Sequence, residues 1–156
     1  MLSVKVRGMS LDHSFVGRSY PPTAPYQVGR EKIREFATAI GATDPAHHDP
    51  EAARALGHPD VVAPPTFPMV LTMAANRQMI EDPALGIDYS RVVHGDQRFA
   101  YTRPVVAGDE LVCVNTVEDI TSRGGHDFVT TRTEVSTVTG EPVVTAWMKL
   151  VVRGEN

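Results

Sequence analysis

The chain has 156 residues, of which 42% are hydrophobic and 22% are charged, and its net charge is −4. A chain of this size forms one domain and buries a sizeable core, so folding requires neither disulfides nor metals. The mild acidic balance, without a basic stripe, argues against nucleic-acid binding, and no apolar run is long enough to cross a membrane. The single cysteine, Cys113, lies in a strand-like apolar run, which is typical of a buried thiol in a reducing cytoplasm.

The first half of the chain is rich in proline and in helical patterns. Residues 1–12 are predicted to form a short N-terminal extension, too poor in apolar residues for a signal peptide, and residues 13–156 to form a single domain. Apolar residues recur at helical spacing from Arg30 to Ile40, and Gly41 is the expected C-cap. This pattern predicts a first helix that leads into a polar loop.

The polar loop is the strongest candidate for a chemical site. Its sequence, Gly-Ala-Thr-Asp-Pro-Ala-His-His-Asp from Gly41, brings together Asp44, His47, His48 and Asp49. Histidine titrates near neutral pH, so such a loop can move protons when it lines a pocket. In the alternative interpretation the loop is a solvated turn in which Asp44 and Asp49 cap short helices. A metal site is disfavoured because adjacent residues rarely point at one ion and no second cluster of ligands is evident.

Two further helices are predicted after this loop. The first runs from Pro50 to Leu56, with Asp49 as its N-cap and a proline in the favoured first helical position. The second is long, with Thr66 as its N-cap and an apolar run that continues to Ile80. Because this second helix is apolar on most of its circumference, it is predicted to be buried.

From Arg91 onward the pattern changes to alternating segments rich in β-branched residues and separated by turn residues. Four strands are predicted, and they run from Val92 to Val105, Leu111 to Ile120, Phe128 to Val138 and Val143 to Val152. Four long strands at hairpin spacing after a buried helix predict an α+β fold, with one curved antiparallel sheet wrapped around a long central helix.

The order and spacing of several short elements resemble the MaoC-like hydratases and dehydratases, a family with the hotdog fold. The matching elements are VGREKIREFA at 28–37, DPA at 44–46, VAPPTF at 62–67, VHGDQRF at 93–99 and RPVVAGD at 103–109. The chain is similar to the accessory subunit of actinobacterial (3R)-hydroxyacyl-thioester dehydratases. This resemblance implies a role in fatty-acid metabolism, an acyl thioester of coenzyme A or acyl carrier protein as ligand, and no cofactor or metal.

The family's catalytic motif maps onto the polar loop with a gap. In active members the loop reads Gly-Asp-x-Asn-Pro-x-His-x-Asp, and its first Asp and its His form the catalytic pair. Here Ala42 replaces that Asp, Asp44 stands at the Asn, and His47 stands at the His, while Asp49 matches the last Asp. Active members also open the buried helix with a His-Gly pair whose glycine amide is thought to polarise the thioester carbonyl. Pro64-Pro65 occupies those positions here, and proline has no backbone donor.

The resemblance therefore yields two groups of candidate residues. The catalytic candidates, in an incomplete motif, are His47, Asp44 and Asp49. The candidates for substrate binding lie at the start of the buried helix, along it and on the first strand, and they are Pro65, Thr66, Phe67, Met69, Met73 and His94. The methionines have the alternative of a purely core role, and His94 that of a strand residue paired with a neighbour.

Dehydration of a 3-hydroxyacyl thioester needs a base for the C2 proton, an acid for the departing hydroxyl and donors for the enolate-like oxygen. The chain keeps the histidine but lacks the acid and the glycine donor. The leading hypothesis is therefore a substrate-positioning, non-catalytic chain of a hydro-lyase that is active only with a partner. The alternatives are a self-sufficient homodimeric hydratase using His47 with Asp44 or Asp49, and an acyl-thioester binding or regulatory module without turnover. Because sheet edges must be paired or protected, we expect a homodimer or a heterodimer with a second MaoC-like chain.

Overall fold

The computed structural model describes residues 10–155. Residues 1–9, which make up most of the predicted N-terminal extension, and Asn156 lie outside the described residues. The end of that extension packs against the domain, because Leu11 is buried and its backbone N–H donates to Asp127 Oδ2 at 3.1 Å. Asp12 then caps a short 3-10 helix by accepting the backbone N–H of Ser14 at 2.9 Å.

The described residues contain three α-helices, three 3-10 turns and five β-strands. The helices are α1 (Arg30–Ala39), α2 (Pro50–Ala55) and α3 (Met69–Ile80), and the 3-10 turns are His13–Phe15, Pro45–His47 and Tyr89–Arg91. The strands are β1 (Tyr26–Gln27), β2 (Val92–Tyr101), β3 (Glu110–Arg123), β4 (His126–Thr137) and β5 (Pro142–Val152). All three predicted helices and all four predicted long strands are present, and β1 is an additional short strand. None of the described helices is long and apolar enough to cross a membrane.

The prediction that Thr66 caps the central helix is wrong. Helix α3 begins at Met69, directly after Pro68, and no side chain caps it. The preceding backbone forms tight turns instead, in which Phe67 N donates to Pro64 O (2.9 Å) and Met69 N donates to Thr66 O (3.1 Å). Prolines hold φ near the value that these turns need and remove amide donors, so the regular helix starts later than the apolar pattern suggests.

The first long strand also ends earlier than predicted. Strand β2 stops at Tyr101, shortly before Arg103 and Pro104, because proline cannot donate to a strand ladder. The chain then turns into β3, and this turn is held by two bonds from the Arg103 guanidinium to the carboxylate of Asp109 (2.9 and 3.0 Å).

The five strands form one curled antiparallel sheet in the order β1-β3-β4-β5-β2. One face of this sheet wraps α3, which contacts β3 and β4. Buried positions alternate along both strands, as in a half-buried sheet, and they include Leu111, Cys113, Asn115 and Val117 in β3 and Val129, Thr131, Thr133 and Val135 in β4. The predicted α+β architecture, a curved sheet around a central helix, is confirmed.

The two edges of the sheet differ. The outer edge of β3 is covered by the N-terminal segment, whose amides at Gly17, Tyr20 and Thr23 donate to β3 carbonyls at 2.8 to 2.9 Å. Within residues 10–155, no strand pairs with the outer edge of β2. An unprotected strand edge is a ready template for pairing with another chain.

A belt of polar side chains divides the interior of the domain in two. This polar belt consists of Asn76 of α3, Asn115 of β3, and Thr131 and Thr133 of β4, each no more than 1% exposed. Asn76 Oδ1 accepts from Thr131 Oγ1 (2.7 Å) and from Asn115 Nδ2 (3.3 Å). Thr133 Oγ1 donates to Asn115 Oδ1 (3.0 Å). One apolar cluster, with Phe67, Leu71, Leu111 and Val135, lies on one side, and a second, with Met79, Val117, Val129 and Leu150, lies on the other.

Candidate functional site

The polar loop begins where α1 ends in a glycine-terminated motif. Gly41 adopts φ of 72°, its N–H donates to Thr38 O (3.2 Å), and Ala42 N donates to Ala37 O (2.8 Å). This pair of bonds is the Schellman arrangement, in which the residue after the glycine packs back on the last helical turn. Ala42 is half-buried there and offers only a methyl group at the position of the family's catalytic acid.

His47 is held from behind by one backbone carbonyl. Its Nδ1 lies 2.6 Å from Val62 O, and since a carbonyl only accepts, Nδ1 carries the proton. In the neutral ring Nε2 therefore keeps its lone pair and is the nitrogen that can accept a proton. Val62 is fixed in turn, because its N–H donates to Ala46 O (3.0 Å) and it forms an isolated β-bridge with Val106.

A charged pair anchors the segment that carries this carbonyl. The Arg30 guanidinium donates two bonds to the Asp60 carboxylate (2.8 and 2.7 Å), and Asp60 Oδ1 also accepts from Val61 N (2.8 Å). The hydrogen bond from Arg30 lowers the pKa of Asp60 to about 2. The pair links the start of α1 to Asp60, two residues before Val62, so it stabilises the segment that supports His47.

The neighbouring histidine has a structural role. His48 Nε2 donates to Ala42 O at 2.9 Å, and Arg34 Nε donates to His48 O at 2.8 Å. These bonds tie both ends of the polar loop to each other and to α1.

Asp44 and Asp49 act as helix caps. Asp44 Oδ1 accepts from Ala46 N (2.9 Å), and Asp49 Oδ1 accepts from Glu51 N (3.0 Å). Both residues are exposed, and among the described contacts neither carboxylate hydrogen-bonds to His47. The loop thus presents one oriented imidazole without a carboxylate bound to it. No group of His, Cys, Asp and Glu side chains in the described part of the chain is arranged to hold a metal.

The segment before α3 offers carbonyl oxygens and no amide donor at the two prolines. Pro65 O accepts from the hydroxyl of Tyr101 at 2.6 Å, and Pro64 O accepts from Phe67 N. Burial raises the pKa of Tyr101, so its hydroxyl stays protonated and donates. The sequence did not predict that Tyr101 holds Pro65. Only its position at the end of a strand, just before Arg103-Pro104, indicated that its side chain lies near a turn.

The candidates for substrate binding have different surroundings. Thr66 is exposed next to Pro65, and Met69 and Met73 are half-buried along α3. Phe67 is fully buried and packs edge-on against Phe36, with ring centroids 5.5 Å apart, so it is part of the core. His94 lies on the edge strand β2, where its Nε2 is 3.2 Å from the Oε1 of Gln97, so it is paired with a neighbouring residue outside the polar loop.

One cavity of about 290 Å³ opens beside the second half of α3. It is lined by Met73, Arg77, Ile80, Glu81 and Tyr89. Of these residues, only Met73 was a candidate from the sequence, because the cavity joins α3 to a 3-10 turn that the sequence pattern did not indicate.

The chain matches the family model described as FAS1-like, dehydratase domain region, over residues 14–146. Similar sequences include a UPF0336 protein of Streptomyces coelicolor, which is 64% identical over 145 residues, or 93% of this chain and 97% of that protein.

Two solved structures are similar throughout the domain. A MaoC-like dehydratase has a TM-score of 0.84 and 38% identity over 90% of this chain, which corresponds to 43% of that chain. The HadBC (3R-hydroxyacyl-ACP dehydratase) complex from Mycobacterium tuberculosis has a TM-score of 0.76 and 35% identity, covering 96% of this chain and 99% of the matched chain. The first likeness confirms the predicted hotdog fold, and both confirm the resemblance to MaoC-like enzymes.

Proposed function

Because the chain belongs to the FAS1-like dehydratase family, we propose that it is the substrate-positioning, non-catalytic subunit of a (3R)-3-hydroxyacyl-thioester dehydratase or hydratase. A hydratase-family role follows from the family itself. The finer proposal rests on two features. The polar loop holds one oriented imidazole at His47 and has Ala42 at the position of the acid, and the segment before α3 has Pro65 at the position of the amide donor. We propose that it acts in the cytoplasm, in fatty-acid metabolism.

The chemistry explains why one imidazole is insufficient. The reaction moves two protons, one from C2 and one to the departing hydroxyl, and negative charge develops on the thioester oxygen. Nε2 of His47 can take part in one of these transfers. Losing an oxyanion donor alone typically costs roughly 100- to 1000-fold in rate, and Pro65 has no N–H to provide one.

The nearby carboxylates are poor substitutes for the missing acid. Asp44 and Asp49 each accept a backbone N–H at the start of a short helical segment. Turning either side chain toward His47 would uncap that segment, at a cost of about 1 kcal/mol. A shift of about 1 Å from the productive geometry can already cost about 100-fold in rate. This favours the non-catalytic hypothesis over a self-sufficient hydratase.

The bare edge of β2 supports a partner chain. Three exposed apolar side chains lie on this strand or directly before it: Tyr89 (64% exposed), Val93 (43%) and Tyr101 (39%). A second hotdog unit that added its own edge strand would cover them and satisfy the free backbone groups. The similar HadBC dehydratase is described as a complex, and the similar MaoC-like dehydratase chain has room for a second unit, since this chain matches 43% of it. We propose a second MaoC-like chain with the Asp/His pair intact as the partner.

In such a complex this chain supplies binding surface and the partner supplies proton transfer. The turn at Pro64 and Pro65, fixed by Tyr101, and the half-buried Met69 and Met73 would hold the thioester arm and the acyl chain. The thioester is carried by coenzyme A or by acyl carrier protein.

Reconstitution tests this proposal. The chain and a candidate partner with the intact motif are purified separately and together, and 3-hydroxyacyl-thioester dehydration is assayed in all three preparations. We expect turnover only when both chains are present. Full activity of this chain alone would refute the non-catalytic role. Tight thioester binding by the complex without turnover would instead favour a binding module.

A further inference from the structure

The C-terminal tail, residues 153–155, connects two separate parts of the domain. Arg153 N donates to Arg91 O in the 3-10 turn that leads into β2 (3.0 Å). Gly154 N donates to Nδ1 of His126, at the start of β4 and directly after the β3–β4 hairpin turn (3.0 Å). The tail therefore holds the beginning of β2, whose outer edge no other described strand covers, against that hairpin.

The tail packs on the hairpin too closely for any side chain at position 154. A Cβ atom on Gly154 would lie 1.9 Å from Gly125 O, far inside contact distance. Gly124 and Gly125 have φ of 60° and 78°, the left-handed backbone of a tight turn that glycine adopts without strain. Contact of backbone with backbone thus sets the position of the Gly154 amide relative to the ring of His126.

This geometry fixes the protonation state of His126. A backbone N–H only donates, so Nδ1 keeps its lone pair and the proton of the neutral ring is on Nε2. A protonated imidazole carries N–H on both nitrogens and has no acceptor left. Two N–H groups would then face each other, and the bond that anchors the tail would be lost. Histidine changes its charge between about pH 5 and pH 8, so this loss falls near neutral pH.

Other charged groups lie on every element packed against this ring. Asp127 follows the ring but already accepts from Leu11 N and from Ser122 Oγ. Glu155 is paired with Arg91 (3.1 Å). Among the described contacts neither carboxylate bonds to the ring, so neither compensates for the bond that protonation breaks. The remaining charged or titratable groups are Arg123 of the hairpin, Arg153 of the tail, Asp88 of the turn before β2, and Asp12 and His13 of the N-terminal segment.

We propose that the bond from Gly154 to His126 is a pH-sensitive latch. The neutral ring holds the tail and the start of β2, and the protonated ring releases them. Val152, the last residue of β5, pairs with Val92 on one side and with Asp127 on the other, so release loosens the end of three adjacent strands. Acidification then weakens binding of the partner at β2. Only this last step rests on the proposed function, because the latch lies within this chain.

Hydrogen exchange in the full-length chain tests the latch directly. The protection of the Gly154 and Arg153 amides, corrected for intrinsic exchange rates, is measured by NMR from about pH 8 to about pH 5. Loss of a hydrogen bond of this kind shifts a local opening equilibrium by roughly 5- to 30-fold. We expect the protection of Gly154 to fall by about this factor as the pH is lowered. Protection that does not change with pH would overturn the proposal.

Three variants assign the change to the ring. His126→Asn places an amide oxygen near the position of Nδ1, and this oxygen accepts at every pH, so protection should stay high throughout. Gly154→Ala forces the tail away from Gly125 and should give low protection at every pH. His13→Asn is the matched control, because His13 Nε2 lies 3.1 Å from Ser122 Oγ on the same hairpin, and it should keep the wild-type pH dependence. A pH dependence that survived in His126→Asn, or disappeared in His13→Asn, would overturn the latch.

The affinity of the complex tests the consequence for the partner. The Kd between this chain and its partner is measured at about pH 8 and pH 5.5 with the wild type and with His126→Asn. On acidification we expect the wild-type Kd to rise more than that of the variant, by at most roughly 5- to 30-fold, since coupling cannot exceed the free energy of the bond. An equal rise in both would overturn the coupling to partner binding. If no partner binds at either pH, the proposed function fails, whereas the exchange measurement still decides whether the latch exists.

Discussion

The polar belt makes a quantitative prediction about stability, because Asn76 connects α3 to both central strands. Asn76→Ala removes the acceptor of Thr131 Oγ1 (2.7 Å) and of Asn115 Nδ2 (3.3 Å), and both donors are fully buried. Each unpaired buried donor costs about 1–3 kcal/mol, and the truncation also leaves a small cavity, so we expect a total loss of about 3–5 kcal/mol. Thr131→Val removes only one hydroxyl at nearly constant volume and should cost about 1–2 kcal/mol.

Urea unfolding followed by the fluorescence of Trp147, the single tryptophan, measures these losses at fixed protein concentration. Thr121→Val, at an exposed position of β3, is the matched control and should change the free energy of unfolding by less than about 0.5 kcal/mol. If the free energy of unfolding of Asn76→Ala lay within about 1 kcal/mol of the wild-type value, the belt would not be the closed hydrogen-bonded set described above.

Three further predictions concern titration and the site. Burial raises the pKa of Cys113 to about 11, so a thiol reagent at mildly alkaline pH should react only when the protein unfolds, and rapid reaction of the native protein would contradict this. Because Arg30 lowers the pKa of Asp60 to about 2, their pair stabilises the fold above the ordinary pKa of Asp, and this contribution is lost as the pH falls from about 4 to about 2. Urea unfolding of Arg30→Gln should therefore show a small loss of stability at neutral pH. Its free energy of unfolding should also fall less steeply than that of the wild type between about pH 4 and pH 2, and an unchanged pH dependence would argue against the pair. Tyr101→Phe removes the bond to Pro65 and should cost about 1 kcal/mol in stability and roughly tenfold in kcat/KM of the complex, and an unchanged rate would exclude a positioning role.

Elements with a clear period could be predicted from the sequence. The apolar spacing of α1, the apolar run of α3 and the alternation in β3 and β4 are each set by which face meets the core, and the structure has all of them. The start of α3 was missed because three nearby prolines impose turns that apolar periodicity does not register.

The site was predictable only in part, because its decisive contacts join residues that are distant in sequence. The position of His47 in the loop was evident, but its orientation depends on Val62 O, fifteen residues later. The capping roles of Asp44 and Asp49 were an alternative in the sequence, and the structure shows both bonds. The polar belt was not foreseen, since a single Asn in an alternating strand does not reveal which helix residue it meets.

The central claim is that proton transfer depends on groups outside this chain, and the location of the essential histidine tests it most directly. In the reconstituted complex, kcat is measured with His47→Ala in this chain and, separately, with the motif histidine of the partner chain changed to alanine. We expect the first variant to retain kcat within about tenfold and the second to lose roughly 100- to 10,000-fold. Loss of turnover in His47→Ala, with activity retained in the partner variant, would contradict the account.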